Sequence, residues 1–275
     1  FNYFSFLASV NNDTTTNTAA FRCKKGACQR NALYWKKKTK NNNTTTTTNS
    51  NSLFRNTKKQ VEEEEEMLLV TGADPRYYKG LKNLLGSARF WAPQHKVIVY
   101  NLGSERMINE DEILRNYPNV LTIEWRNGIP QGEGKYPNHV YVGKKYAWKP
   151  ILINETLHKY RRSIFWLDAG STLTGPITPA VDITERTGVF LVRGQDSNMD
   201  LSHPRTYEWF GKDKKTFVGG PHFSGNTQAW LYPSRYIIPI VEKNAKCALD
   251  ANCIAPTGSA LKNHRYDQTT LSILA

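Results

Sequence analysis

The chain has 275 residues, a mass of 31.4 kDa and a net charge of +13, with 39% of its residues hydrophobic and 22% charged. That is enough for one large domain or two small ones, and it excludes a collagenous chain, a wholly disordered one and a disulfide miniprotein. No run approaches the roughly 18 apolar residues that span a bilayer, which excludes a transmembrane helix within it.

The charge is unevenly spread. Residues 1–60 hold eleven Lys and Arg against the single acid Asp13, and Glu62 to Glu66 then form an acidic block. The run NNNTTTTTNSNS at 41–52 has nothing to bury. Residues 1–65 therefore read as a disordered, low-complexity basic tail with a Glu-rich linker. The basic excess sits in the part least suited to fold, so no nucleic-acid partner is expected. The sequence begins at Phe1 and stops at Ala275 inside the apolar run LSILA, and it reads as a fragment with a folded domain over 66–275. Any membrane attachment is expected only through segments outside it.

From Met67 short apolar runs alternate with helical patterns. MLLV (67–70) predicts a strand ending at Thr71-Gly72-Ala73-Asp74, and Tyr78, Leu81, Leu84 and Leu85 follow at helical spacing. KVIVY (96–100) predicts a second strand, Glu105 to Tyr117 a helix, and VLTIEW (120–125) a third strand. Tyr146 to Tyr160 predicts a helix, with Pro150 tolerated in its first turn. SIFWLDAGS (163–171) and GVFLVR (188–193) predict two more strands. Gly219 to Asn226 reads as a flexible loop before a helix around Trp230. Continuous apolar strands separated by helices predict an α/β fold: an open, mostly parallel sheet with helices on both faces. Ligands of such sheets bind beyond the carboxyl ends of the strands.

Chemistry is accordingly sought there. Asp168 ends an apolar strand, and the small Ala169 and Gly170 leave room for a bulky anion or a hydrated metal. Its bland alternative is a turn-capping aspartate. Lys149 opens a helix, where it could pair with a phosphate or simply be solvated. Thr71-Gly72-Ala73-Asp74 has neither dinucleotide nor P-loop spacing, which counts against a nicotinamide oxidoreductase and a P-loop NTPase. A short Gly turn could still seat a nucleoside, with Asp74 accepting a hydrogen bond. Asp267 either faces a ligand or caps the last helix. Ser224 and Gly225 lie in a loop that could cover a ligand. The histidines are scattered without zinc spacing. Cys23/Cys28 and Cys247/Cys253 allow two local disulfides in a secretory compartment or four thiols in a cytosolic one. The Asn-x-Thr sites at Asn12, Asn42, Asn43 and Asn154 lean toward the former.

Taken in order, VTGAD with Tyr77-Tyr78, LKNLLGSARFWAP, KVIVYNLG, YAWKP, FWLDAGS and HRYDQTTLSIL resemble the nucleotide-diphospho-sugar transferase-like proteins of the GT-A type. More narrowly, they are similar to a eukaryotic set of unknown function. The resemblance covers roughly residues 66–275. It implies a glycosyltransferase taking a nucleotide-sugar donor and a glycan or protein acceptor, in the Golgi or another secretory lumen. Asp168 would stand at the D-x-D position and hold Mn²⁺ or Mg²⁺, although Asp168-Ala169-Gly170 lacks the second carboxylate. Thr71, Gly72, Ala73, Asp74 and Tyr77 would bind the nucleoside side of the donor, and Lys149 its phosphate. Asp267-Gln268 would be the late motif beside the site. A base near the acceptor hydroxyl would be Asp267 first and Asp196 second. A non-catalytic sugar- or partner-binding module is the alternative, and a binder of nucleic acid or anionic surfaces through the basic tail a third, less favoured possibility.

Overall fold

The computed structural model describes residues 66–103, 109–125 and 136–275. The tail, including Cys23, Cys28 and three of the four Asn-x-Thr sites, lies outside the described residues.

Strand β1 (Leu68–Ala73) is followed by a short turn of helix, Pro75–Tyr77, which Asp74 caps by accepting from Arg76 N–H at 2.9 Å. Helix α1 (Tyr78–Trp91) turns Leu81, Leu84, Leu85 and Ala88 inward. Then come β2 (Val97–Asn101), α2 (Glu110–Asn116) and β3 (Val120–Trp125). The α2 helix is shorter than expected, and the part before Asn109 falls outside the described residues. Helix α3 (Trp148–Tyr160) carries Lys149 and Pro150 in its first turn and ends on Arg161 in the left-handed region. β4 (Ile164–Leu167), α4 (Thr178–Thr187), β5 (Val189–Ser197) and α5 (Pro204–Trp209) follow.

The next segment departs from the sequence expectation. Residues Pro221–Trp230 form strand β6, not a loop and a helix. After it come α6 (Lys243–Ala248), α7 (Ala251–Ile254) and α8 (Asp267–Leu274).

The sheet order is β3-β2-β1-β4-β6-β5. β1, β2, β3 and β4 pair in parallel, while β6 runs antiparallel to both β4 and β5. The sheet is thus open and mostly parallel, with β6 slotted between β4 and β5. Alternating side chains face opposite layers. Leu69, Val97, Val99, Phe165 and Leu167 pack with α1 and α4, whereas Leu68, Val70, Ile98, Ile164 and Trp166 pack with Leu152, Ile153 and Leu157 of α3. A third cluster joins Ile151, Tyr207, Phe210, Ile254 and Ile273 around the Cys247–Cys253 disulfide, which ties α6 to α7.

The reversal of β6 matters for function. Because it runs against β4, its first half lies at the carboxyl end of the parallel strands, with Thr227 opposite Leu167. Pro221 stands at its first position, where a missing N–H is tolerated. Its buried polar residue Gln228 is matched, accepting from Trp230 Nε1 at 2.9 Å.

Candidate functional site

Four elements meet just past the end of β4. Asp168 is the residue after that strand, and its N–H donates to Asn226 O at 2.9 Å. α3 brings Lys149 and α8 brings Asp267, each within the first two residues of its helix. β6 brings Gly225. The Lys149 ammonium lies 2.9 Å from Asp168 Oδ1, 3.1 Å from Asp267 Oδ2 and 3.2 Å from Gly225 O. An ammonium has three donors, and here three groups receive them. Trp166, one inward position before Asp168, donates from Nε1 to Asp168 Oδ1 at 2.8 Å.

Glycine is required at position 225, because a Cβ there would overlap Asp267 Oδ2. Gly80 serves a similar purpose: a Cβ on it would stand 2.8 Å from Ala169 O, so its absence lets α1 lie against the turn after Asp168.

With all three side chains ionised the cluster carries one net negative charge. Burial opposes the charge on Lys149, yet Asp168 and Asp267 more than reverse this and hold its pKa above the ordinary lysine value. Burial pushes Asp267 up, while Lys149 pulls it back. The two directions conflict within one ion pair. The oxygen partners around Nζ favour the charged lysine, and with it an ionised Asp267. The Lys149 and Asp267 side chains are 2% and 6% exposed, whereas Asp168 is 31% exposed. Asp168 is therefore the carboxylate of the two that meets solvent.

Aromatic rings complete the enclosure. Nζ lies 5.8, 5.7 and 5.9 Å from the ring centres of Tyr146, Trp148 and Trp166, within cation–π range. Tyr146 and Tyr266, whose rings are 6.2 Å apart, both hold left-handed φ values, 52° and 48°. Such backbone costs on the order of 1–3 kcal/mol per residue and gathers at functional sites. Tyr266 is braced by the fully buried His264, whose ring centre is 5.2 Å away. His264 Nδ1 accepts the His203 N–H at 3.2 Å, so Nε2 carries the proton and donates to Ile254 O at 2.9 Å. Burial depresses the pKa of this imidazole to about 4.

Several expectations change here. Thr71, Gly72 and Ala73 are buried within β1 rather than forming a loop, and a Cβ on Gly72 would stand 3.2 Å from Leu102 Cδ1. Of that group Asp74 and Tyr77 remain accessible, with Asp74 paired to Arg76. Lys149 is not the solvated lysine that was the alternative to a phosphate contact: its donors face Asp168, Asp267 and Gly225. Asp267 neither caps α8, whose capping position is Tyr266, nor opens to an acceptor. Ala169 is buried and Gly170 exposed. Ser224 lies in β6 and is buried, with its Oγ accepting the Asn226 N–H at 3.2 Å. Gln268 is half-buried beside Gly225. Asp196 lies in β5, but its side chain falls outside the described residues. Asn154 sits inside α3 and is half-buried.

The sequence reading missed Trp166, Tyr146, Tyr266 and His264 as parts of this site. Alternation along β4 could have paired Trp166 with Asp168; the tyrosines carry no signal short of their backbone angles.

The described side chains at this site do not fit a divalent ion. No group of three or more His, Cys, Asp or Glu able to hold a metal occurs among the described residues. The two carboxylates that do converge are both engaged by Lys149.

No family model matches the sequence, and no curated protein matches it. Solved structures to which the chain is similar include mouse xyloside xylosyltransferase 1 in its apo form, at 12% identity and a TM-score of 0.45, covering 75% of this chain and 80% of that one. The galactosyltransferase LgtC in complex with donor and acceptor sugar analogues is similar at 14% identity and a TM-score of 0.45, covering 76% and 70%. Core-mannan synthase A of Aspergillus fumigatus, in its Mn/GDP form, aligns at 8% identity and a TM-score of 0.45, covering 75% and 68%.

Proposed function

We propose that residues 66–275 form a glycosyltransferase domain that moves a sugar from a nucleotide-sugar donor to an acceptor hydroxyl on a glycan or protein. The observation that carries this reading is Asp168. It stands beyond the carboxyl end of a central parallel strand, where open α/β sheets bind ligands. Lys149 and Trp166 fix its orientation, and it keeps solvent access.

Glycosyl transfer develops positive charge on the sugar while a diphosphate leaves. A fixed carboxylate at this position accepts a hydrogen bond from a sugar hydroxyl or faces the developing charge. Lys149 and Asp267 act through Asp168 by holding it. The leaving diphosphate needs positive charge, and Lys149 is committed. Arg76 is a candidate source: its side chain is 68% exposed although paired with Asp74, and its Nη2 lies 3.8 Å from where a Cβ on Gly143 would stand. The Gly143–Lys145 turn, with Lys144 exposed, lies beside it. Asp74, Tyr77 and Tyr146 flank the same edge as candidate donor contacts. The Cys247–Cys253 disulfide supports an oxidising, secretory compartment. Among the described residues no helix is long and apolar enough to cross a membrane.

A second reading, a sugar-binding module without turnover, is favoured by the missing second carboxylate at Ala169-Gly170. Binding and turnover separate the two. Thermal denaturation is measured with a panel of nucleotide sugars, for the wild type and Asp168→Asn. A donor at 100 times its dissociation constant adds about 2.7 kcal/mol to a folded binder. Stabilisation by one donor that is lost in Asp168→Asn supports the site; a folded chain that responds to no donor contradicts both readings.

A further inference from the structure

A divalent ion draws carboxylate oxygens to about 2.0–2.6 Å. At this site the two converging carboxylates instead hold a nitrogen at longer range. Asp168 Oδ1 and Asp267 Oδ2 stand 2.9 and 3.1 Å from one nitrogen, the lengths of charged hydrogen bonds and ion pairs. That nitrogen is buried, takes a third oxygen from Gly225 and is faced by three aromatic rings. Asp267 Oδ2 is buried, and among the described residues it accepts no hydrogen bond of good geometry. Its compensation is the ionic contact with Lys149. Gly225 is the residue that lets this oxygen approach the strand so closely. The local chain is thus shaped around an ammonium, from the helix that delivers it to the glycine that makes room for its partner. A second, doubly charged cation here would meet the Lys149 charge at close range.

We propose that Lys149 is the resident cation of this site, filling the place between Asp168 and Asp267 that a divalent ion would take, so that a nucleoside diphosphate group binds at this edge without a metal. The ligand class rests on the sugar-transfer reading above; the identity of the cation does not.

The test uses the full chain and two probes. Mn²⁺ binding is followed by calorimetry and by the electron paramagnetic resonance signal of the free ion, for wild type, Lys149→Met and Lys149→Met with Asp168→Asn. UDP and GDP binding is followed by thermal stabilisation in EDTA and in Mn²⁺. The wild type is expected to show no saturable Mn²⁺ binding below about 1 mM. Lys149→Met is expected to bind Mn²⁺ at least roughly tenfold more tightly, and the added Asp168→Asn to abolish the gain. Stabilisation by a nucleotide is expected to be equal in EDTA and Mn²⁺. Saturable Mn²⁺ binding by the wild type, or nucleotide stabilisation that vanishes in EDTA, overturns the proposal. So does a folded Lys149→Met that gains no Mn²⁺ affinity. If Lys149→Met does not fold, the wild-type titration and the EDTA comparison decide. If neither nucleotide binds, the sugar-transfer reading loses support while the Mn²⁺ titration still tests the cation.

Discussion

Lys149, Asp168, Asp267 and Gly225 lie far apart in the chain and act as one unit. Their separate sequence signals are weak: a lysine at a helix start, an aspartate before a small pair, an aspartate before a helix, a glycine in a polar run. Each by itself is more often structural than functional. Only the fold joins them, and it does so by a side-chain ion pair that no local pattern encodes. Lys149 was expected at a phosphate because its position on the helix was legible, whereas its carboxylate partners were not. Gly225 offers a sharp check at this scale. Gly225→Ala places a methyl where Asp267 Oδ2 stands, so it should cost about 1–3 kcal/mol of stability by overpacking. It should also weaken donor binding. Chemical denaturation measures the first effect; an unchanged stability would mean that Asp267 moves aside without loss.

Among the elements, β6 was the least legible. Its sequence, PHFSGNTQAW, mixes Ser, Gly, Asn and Gln with few β-branched residues, and Gly219-Gly220 precedes it. Pairing on both edges, with β4 and β5, overrides that poor propensity. The inner strands β1, β2 and β4 were readable because their apolar runs are buried on both faces. The elements after β6 lean on two devices. The Cys247–Cys253 bridge closes a separation of six residues, and replacing both cysteines by alanine should lower stability by about 2 kcal/mol, as measured by denaturation in the absence of reductant. His264 supports the turn that leads to α8. Its pKa in the fold, about 4, lies below its ordinary 6.5. Between these values the unfolded chain binds a proton that the folded chain refuses. Its contribution is therefore complete above pH 6.5 and is lost as the pH falls toward 4, at up to ~1.4 kcal/mol per pH unit. Denaturation of wild type and His264→Gln across this range should show a steeper acid loss in the wild type. Parallel profiles would contradict a neutral, buried imidazole.

For the whole molecule, the open, mostly parallel sheet was legible from the alternation of apolar runs and helices. The carboxyl edge follows from that architecture, and Asp168 lies on it. The ligand was not legible in the same way. It depends on which charges the fold leaves exposed, and burial reversed the expectation for Lys149 and Asp267 while sparing Asp168. Sugar transfer therefore rests on an oriented carboxylate at a sheet edge together with an ordered set of motifs. The most direct measurement is release of nucleoside diphosphate from nucleotide sugars by the full chain in EDTA, for wild type and Asp168→Asn. The account predicts release from one donor, and a rate lower by at least about 100-fold in the variant. A chain that binds a donor but never releases its diphosphate, or a variant as fast as the wild type, would contradict it.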